Sequence, residues 1–370
     1  MNISLDKQRE MRYIKKRRKS ILENKTYEIK GIIKTVSPIV HSEVLSKSEA
    51  AKKESDDKKA FRTLPFMAEN ADGKFDFKPM YAISGNSIRG IGRRLMYHHT
   101  FEDLFDMDLD TFFAENVVNE EGKPLSDKNK RNLMSIFMVG GVSPEGARKS
   151  GSVQAGIYDE VINDIPMLGL LGAVYMSYHF DSSCSIGHAM LRCNETARAY
   201  QDIFHDDPKE FTTFDEFKKN TQIVNHTKTQ PGKDDAEFPS STTEGKNTDN
   251  KSAMIYGMEV LPVGTSFYWR SFCNTNNDRI RIAFYGMMGL LVKHGVLGGM
   301  NGKGYGRVEF QLENFDADKA IKEYDDDMKN HRKDFENGIK LLAKHFSYKI
   351  TKDKEDPKPK KSKKNEKEDK

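Results

Sequence analysis

Polar and apolar positions begin to order themselves at Thr26. TYEIKGIIKTVSPIV carries β-branched residues with partial alternation and ends at the turn former Pro38, which predicts a strand. HSEVLSKSEAAKKESDDKKAF is polar and charged and predicts a loop insertion, after which FRTLPFMAENADGKFDFKPMYAI returns to ordered chain. ISGNSIRGIGRRLMYHH then switches to the helical period, opening at Ser84–Asn86, with Ile88, Ile91, Leu95 and Met96 as a buried stripe. Asn86, Arg89, Arg93 and Tyr97 fall on a second stripe at the same spacing. That spacing predicts two arginines side by side on a face near the outward-pointing amides of a helix N-terminus, where a backbone phosphate could be held.

Residues 100–165 predict a helical insertion, with TFEDLFDMDLDTFF and KNKRNLMSIFMVGG as helices and GVSPEGARKSG as a basic loop. LGLLGAVYMSYHF and SIGHAMLRC read as strands around a turn at 181–183, and FTTFDEFKKNT as a short helix. Residues 225–252 hold almost nothing apolar, and so long a stretch inside a folded chain points to function. MIYGMEVLPVGTSFYWRSFC reads as two strands around LPVGT, followed by a helix over 279–294, a glycine-rich loop, the strand RVEFQL and one long amphipathic helix. Without the insertions the order is strand, helix, strands, helix, strand. This is the α+β, βαββαβ arrangement of ferredoxin-like and RNA-recognition (RRM) domains, although the aromatic strand signature of ordinary RRM domains is absent.

Composition refines this picture. The 370 residues are 31% charged and 36% hydrophobic, and no run of about 18 apolar residues occurs. The cysteines Cys184, Cys193 and Cys273 form no CxxC pair, which suggests reduced thiols and a cytoplasmic location, with no membrane partner. Net charge is only +4, but residues 9–19 concentrate Arg9, Arg12, Lys15, Lys16, Arg17, Arg18 and Lys19 against Glu10. Such a cluster suits either a polyanion or a solvated arm. The tail 351–370 has no hydrophobic residue, mixes lysines with acids around Pro357 and Pro359, and predicts disorder.

KHGVLGGMNGKGYGRVEF follows a helix and precedes a strand, the reverse of the usual phosphate-loop order, and Lys303 is followed by Gly304, not by Ser or Thr. A nucleotide cofactor is therefore not expected. Together with two other segments, this loop resembles the RAMP proteins of CRISPR systems. SGNSIRGIGRR is similar to their Pro/Ser-Gly-Ser/Asn-x-Leu/Ile-Lys/Arg-Gly segment, GMEVLPVGTSFYW to their Glu-x-Leu/Ile-Pro-x-Gly-Thr-x-Phe strand pair, and GVLGGMNGKGYGRVEF to their closing glycine-rich loop. Order and spacing agree from about Tyr27 to Leu312, and size and insertions look most like the Cas-seven-type backbone subunit of a class 1 effector complex. FRTLPF and the length lean toward type IV over type III.

The resemblance implies a palm with a helical finger insertion and a thumb hairpin. The corresponding division is a basic arm (1–25), a first palm part (26–97) with a loop insertion (41–78), fingers (98–165), palm strands and helix (166–224) and a thumb (225–252). A second palm part with the glycine loop (253–315), a C-terminal helix (316–350) and the tail (351–370) complete it. It further implies a non-catalytic scaffold without cofactor or metal, whose copies oligomerise along a guide crRNA beside other effector subunits and present it to target DNA or RNA. Asn86, Ser87, Arg89, Arg93 and Arg94 would grip guide phosphates together with Gly298, Gly299, Asn301, Gly302, Lys303, Gly304, Tyr305 and Arg307. Arg148 and Lys149 would be finger contacts, and Lys228 and Lys233 thumb contacts. In such a loop several amides approach a phosphate without side-chain interference, and Tyr305 stacking on a base would add roughly 1–3 kcal/mol. The bland alternative for the loop is a tight turn returning the chain to the sheet.

Three rivals remain open at this level. Guide-processing RAMP endoribonucleases use a histidine, for which His41, then His98 and His99, are candidates. Target-RNA cleavage would need an aspartate after the first strand, such as Asp56 or Asp57. The third is a general single-stranded RNA binder, from which deletion of 225–252 discriminates: in a backbone subunit it should impair guide-directed target binding yet leave simple RNA affinity nearly intact. His179, Cys184, His188 and Cys193 lack a standard zinc spacing.

Overall fold

A computed structural model of the chain describes residues 24–42, 58–69, 73–117, 123–142, 155–175, 178–228 and 254–352. The basic arm with its cluster at 9–19, Asp56, Asp57, Arg148, Lys149, Lys233 and tail residues 353–370 lie outside these.

The first part of the chain forms β1 (Lys25–Thr35), β2 (Lys58–Lys59), β3 (Thr63–Glu69), β4 (Phe75–Ile83) and helix α1 (Gly85–Tyr97). A π-helical segment over His98–Leu104 leads to α2 (Leu109–Asn116), α3 (Asp127–Met138), β5 (Gly141–Val142), α4 (Ala155–Asp164) and α5 (Pro166–Leu171). Next come β6 (Ala173–Tyr175), β7 (Tyr178–Phe180), β8 (Cys184–Ile186) and β9 (Ala189–Leu191). Three short helices, α6 (Asn194–Ala199), α7 (Gln201–Phe204) and α8 (Phe214–Lys219), precede β10 (Gln222–Lys228) and β11 (Met254–Val260). The chain ends in β12 (Ser266–Thr275), α9 (Asp278–His294), β13 (Val308–Leu312), α10 (Ala317–Asn330) and α11 (Arg332–Lys352).

The protein is thus α+β, organised on one antiparallel sheet in the order β13-β1-β12-β9-β4-β3, with β8 also paired to β12. Ile29, Gly31, Ile33 and Thr35 alternate inward along β1, as the period-two pattern requires. Gly31 is obligatory there, because a Cβ would stand 2.2 Å from the Gln311 carbonyl of the neighbouring strand. The indole of Trp269 on β12 is buried, donates to the Gly187 carbonyl at 3.0 Å and meets Phe310 edge-on. Helices α1 and α9 touch where Gly92 admits Met287 and Leu291.

The helical insertion after α1 shares this core. Phe101 meets both Phe137 of α3 and Phe335 of α11, each at 5.3 Å between ring centroids, so the C-terminal helix closes over it. On the other side α10 lies on α9, where Gly286 and Gly289 let the Tyr324 ring and the Ala317 carbonyl approach. Two three-stranded sheets complete the fold, β10-β11-β2 and β5-β6-β7.

Three differences from the sequence-based reading have local causes. LGLLGAVYMSYHF is not one strand: Pro166 opens α5, and Gly172, at φ 61°, stops it. SIGHAMLRC divides at Gly187, where an added Cβ would stand 2.3 Å from the Arg270 carbonyl oxygen. The single C-terminal helix is two, broken at His331. The FRTLPF region, left without an element in the sequence reading, is the β3–β4 hairpin that extends the sheet edge.

Because a Cβ on Gly286 would fall 2.6 Å from the buried Tyr324 side chain, Gly286→Ala should lower stability by about 1–3 kcal/mol through overpacking, despite the better helix propensity of alanine. Gly302→Ala, with open space around it, should leave the unfolding midpoint unchanged in the same denaturant titration.

Candidate nucleic-acid interface

Residues 36–42, just after β1, form the seam along which the predicted site assembles. On one side they hold the glycine loop. Gly299 N donates to Val40 O at 2.9 Å and Gly306 N to Pro38 O at 2.9 Å, while Val36 and Ser37 both donate to Arg307 O. Gly298, Gly304 and Gly306 have φ between 81° and 87°, and a Cβ on Gly298 or Gly306 would meet a carbonyl oxygen within 2.4 Å. These glycines are required by the turn itself.

That changes the expected chemistry of the loop. The amides of Leu297, Gly299, Lys303, Gly304, Gly306 and Arg307 are already engaged within the protein. A cradle of many free amides is therefore not what the loop offers. The tip Asn301–Gly304 and the Arg307 side chain are exposed. Tyr305 is half-buried and packs with Met300 on a small apolar cluster of Val40, Met258 and Val260, so its ring is not freely presented for stacking.

On the other side of the seam lies the start of α1. Ser84 takes the N-cap position. Its amide donates to His41 Nε2 at 3.0 Å, and the Gly85 amide donates to His188 Nδ1 at 3.1 Å. Burial, with Arg62 nearby, holds His41 down at about 4 and lowers His188 as well. Both rings are thus neutral acceptors that satisfy helix N-terminal amides. His41, the leading general acid–base candidate, is occupied in this way, and its lowered pKa leaves it unprotonated at neutral pH. His98 and His99 pair with Glu102 and Asp325 at the far end of α1.

The two-arginine face does not form as expected. Arg93 is 7% exposed, and its Nη2 donates to Leu171 O and Gly172 O, both at 2.9 Å, and its Nη1 to Ile136 O at 3.3 Å. Arg89 also donates to Leu171 O. Gly140, at φ 89°, lies against the Arg93 guanidinium. Burial, then the charge of Arg89, lowers Arg93 to about 10. The stripe points toward the ends of α3 and α5, whose carbonyls need donors that the guanidinium fork supplies. The exposed positions of α1 are Asn86 and Arg94, with Ser87 half-buried. Arg94 lies close enough to His294, at the end of α9, to lower that imidazole further after burial.

The predicted thumb begins as a β-ribbon. β10 and β11 pair in register from Gln222–Val260 to Lys228–Met254, and β2 adds in parallel. Sequence reasoning gave no role to Glu259, yet it anchors this ribbon to the main sheet. Its carboxylate accepts from the Phe61 amide at 2.8 Å, from the Thr221 hydroxyl at 3.1 Å and from the Tyr81 hydroxyl. The signal was present in the GMEVLPVGT segment, where an acid interrupts an otherwise apolar strand.

Among the described residues no group of three or more His, Cys, Asp or Glu side chains could hold a metal, and no helix is long and apolar enough to cross a membrane. No family model and no curated protein matches the chain. Among solved structures it is similar to a chain of a "Type IV-B CRISPR Complex", at 17% identity and a TM-score of 0.38, over 78% of this chain and 91% of that one.

Arg93→Ala should cost about 3 kcal/mol by leaving helix-end carbonyls unsatisfied, and Arg93→Lys should recover little because lysine lacks the fork. Arg94→Ala should stay within about 0.5 kcal/mol in the same denaturant titrations. The His41 shift has a defined sign. Its folded pKa lies below the unfolded value of 6.5, so the unfolded chain binds the extra proton. The stabilisation is complete above pH 6.5 and is lost as pH falls toward 4. After discounting for partial exposure, wild type should lose about 1–2 kcal/mol more than His41→Gln over that window.

Proposed function

We propose that the chain is a crRNA-binding backbone subunit of a CRISPR ribonucleoprotein, a non-catalytic member of the RAMP superfamily that binds RNA without reading its bases. The observation that carries this reading is the convergence, along residues 36–42, of the glycine loop, the start of α1 and the base of the β10–β11 ribbon. These are the three segments whose sequences resemble the RAMP pattern. The strand order also supports the reading. Numbering β1, β8/β9, β12 and β13 as the first to fourth strands, with α1 after the first and α9 after the third, the sheet runs fourth, first, third, second. With β4 and β3 set aside as an edge extension, that order supports a ferredoxin-like reading, in which the helical insertion after α1 serves as fingers and the ribbon as thumb.

In this reading the exposed groups Asn86, Arg94, Asn301, Lys303 and Arg307 contact guide phosphates, and Arg89 and Arg93 act as struts. The thumb, including Lys228, meets the guide–target duplex. Backbone contacts of this kind accept any guide sequence. Partners are the crRNA, its DNA or RNA target, further copies of the chain and other effector subunits, in the cytoplasm. Catalysis is assigned to none of its residues. The endoribonuclease reading is disfavoured because His41 already accepts the Ser84 amide.

Co-expression with a CRISPR array should yield protein carrying RNA of uniform length, and recovery free of nucleic acid would refute the proposal. In salt titrations with unstructured RNAs of different sequence, Arg94→Ala and Arg307→Ala should each weaken binding evenly. Each should also reduce the slope of log K against log salt by about 0.7.

A further inference from the structure

Two of the three cysteines face each other. Asn274 N donates to Ser183 O at 2.8 Å and Gly187 N to Arg270 O at 3.0 Å, so 183/274 and 187/270 are hydrogen-bonded pairs of the β8–β12 ladder. By alternation, Cys184 and Cys273, directly opposite in register, form a non-hydrogen-bonded pair. Such positions bring Cα atoms to about 4.5 Å with side chains on the same face, inside the range a disulfide spans. Both thiols are free, and both are buried.

Their surroundings differ. Burial raises both thiols, Cys273 to about 12. At Cys184 that effect is opposed by the Ser182 hydroxyl and by the positive charges of Arg89 and Arg93. Cys273 has no opposing cation, and its neighbour Cys184 raises it further. An electropositive setting favours the thiolate, which is the species that reacts.

We propose that Cys184 and Cys273 are an oxidisable pair, in which Cys184 is oxidised first and Cys273 resolves it as a cross-strand disulfide. With a peroxide as oxidant, the Cys184 thiolate displaces hydroxide from the O–O bond and becomes a sulfenic acid. The Cys273 sulfur then attacks Cys184 Sγ, forming the S–S bond and releasing water with the Cys273 proton. Two electrons pass from the two sulfurs to the peroxide, one oxygen of which leaves at each step. The bond would link β12 to β8 within electrostatic reach of Arg89 and Arg93, which donate to the Leu171 and Gly172 carbonyls. Cys193, buried with its sulfur beside Thr196 Oγ1, has no cysteine opposite it and remains a thiol.

The test is incubation of the native full-length protein with hydrogen peroxide, then alkylation under denaturing conditions and peptide mass spectrometry without reductant. A 184–273 linked peptide, an alkylated Cys193 and an unfolding midpoint raised by several degrees and restored by dithiothreitol are expected. In Cys273→Ser, dimedone should label Cys184 under the same treatment, and Cys184→Ser should give neither link nor label. Full alkylation of Cys184 and Cys273 after oxidation of the folded wild type would overturn the pairing. Dimedone labelling of Cys273 in Cys184→Ser, with none of Cys184 in Cys273→Ser, would overturn the assigned order.

Discussion

The Arg93 guanidinium is the joint on which the arrangement of helices depends. One side chain, rooted in α1 against the sheet, satisfies carbonyls at the ends of both α3 and α5. Helix C-termini buried without donors would each leave polar groups unpaired at a cost of about 1–3 kcal/mol. The planar fork answers several at once, which a lysine could not. The cost is a charge held away from water, visible as a lowered guanidinium pKa. Gly140 and Gly172, both at positive φ, let the two chain ends close around it.

A second polar joint, Glu259, plays the matching part for the β10–β11 ribbon. Between the two runs the seam of residues 36–42, which bonds to the glycine loop and to the start of α1 through backbone groups and one imidazole. The candidate interface is therefore made of mutually satisfied backbone, with charge added at its rim by Arg94, Lys303 and Arg307. Little reorganisation would accompany the docking of a phosphate chain to such a surface, and electrostatic attraction there acts without a preference for particular bases.

Much of this was legible in the chain. Periodicity located β1, α1, α3, α8, α9 and β13, because each buries one face whose spacing is that of its element. The three glycine-containing segments marked the places that come together. What pattern could not reveal was the direction of Arg89 and Arg93. A stripe at helical spacing specifies a face but not what that face meets, and here it meets the ends of α3 and α5. One hairpin was likewise hidden: β3 and β4 carry Pro65, Pro79, Met67, Phe75 and Phe77 on their exposed side, which erases the polar half of the alternation. Glu259 was overlooked because one acid in a strand reads as solvent-facing until its three donors are known.

The ladder between β10 and β11 has one more implication. Lys228 and Met254 are held as register partners, so the two ends of whatever sequence joins them are fixed side by side by the ribbon. The entropy of closing that loop grows only with the logarithm of its length. Replacing, shortening or extending the connection should therefore leave the palm almost indifferent, which makes it a place where natural variation or a grafted peptide could accumulate without unfolding the rest.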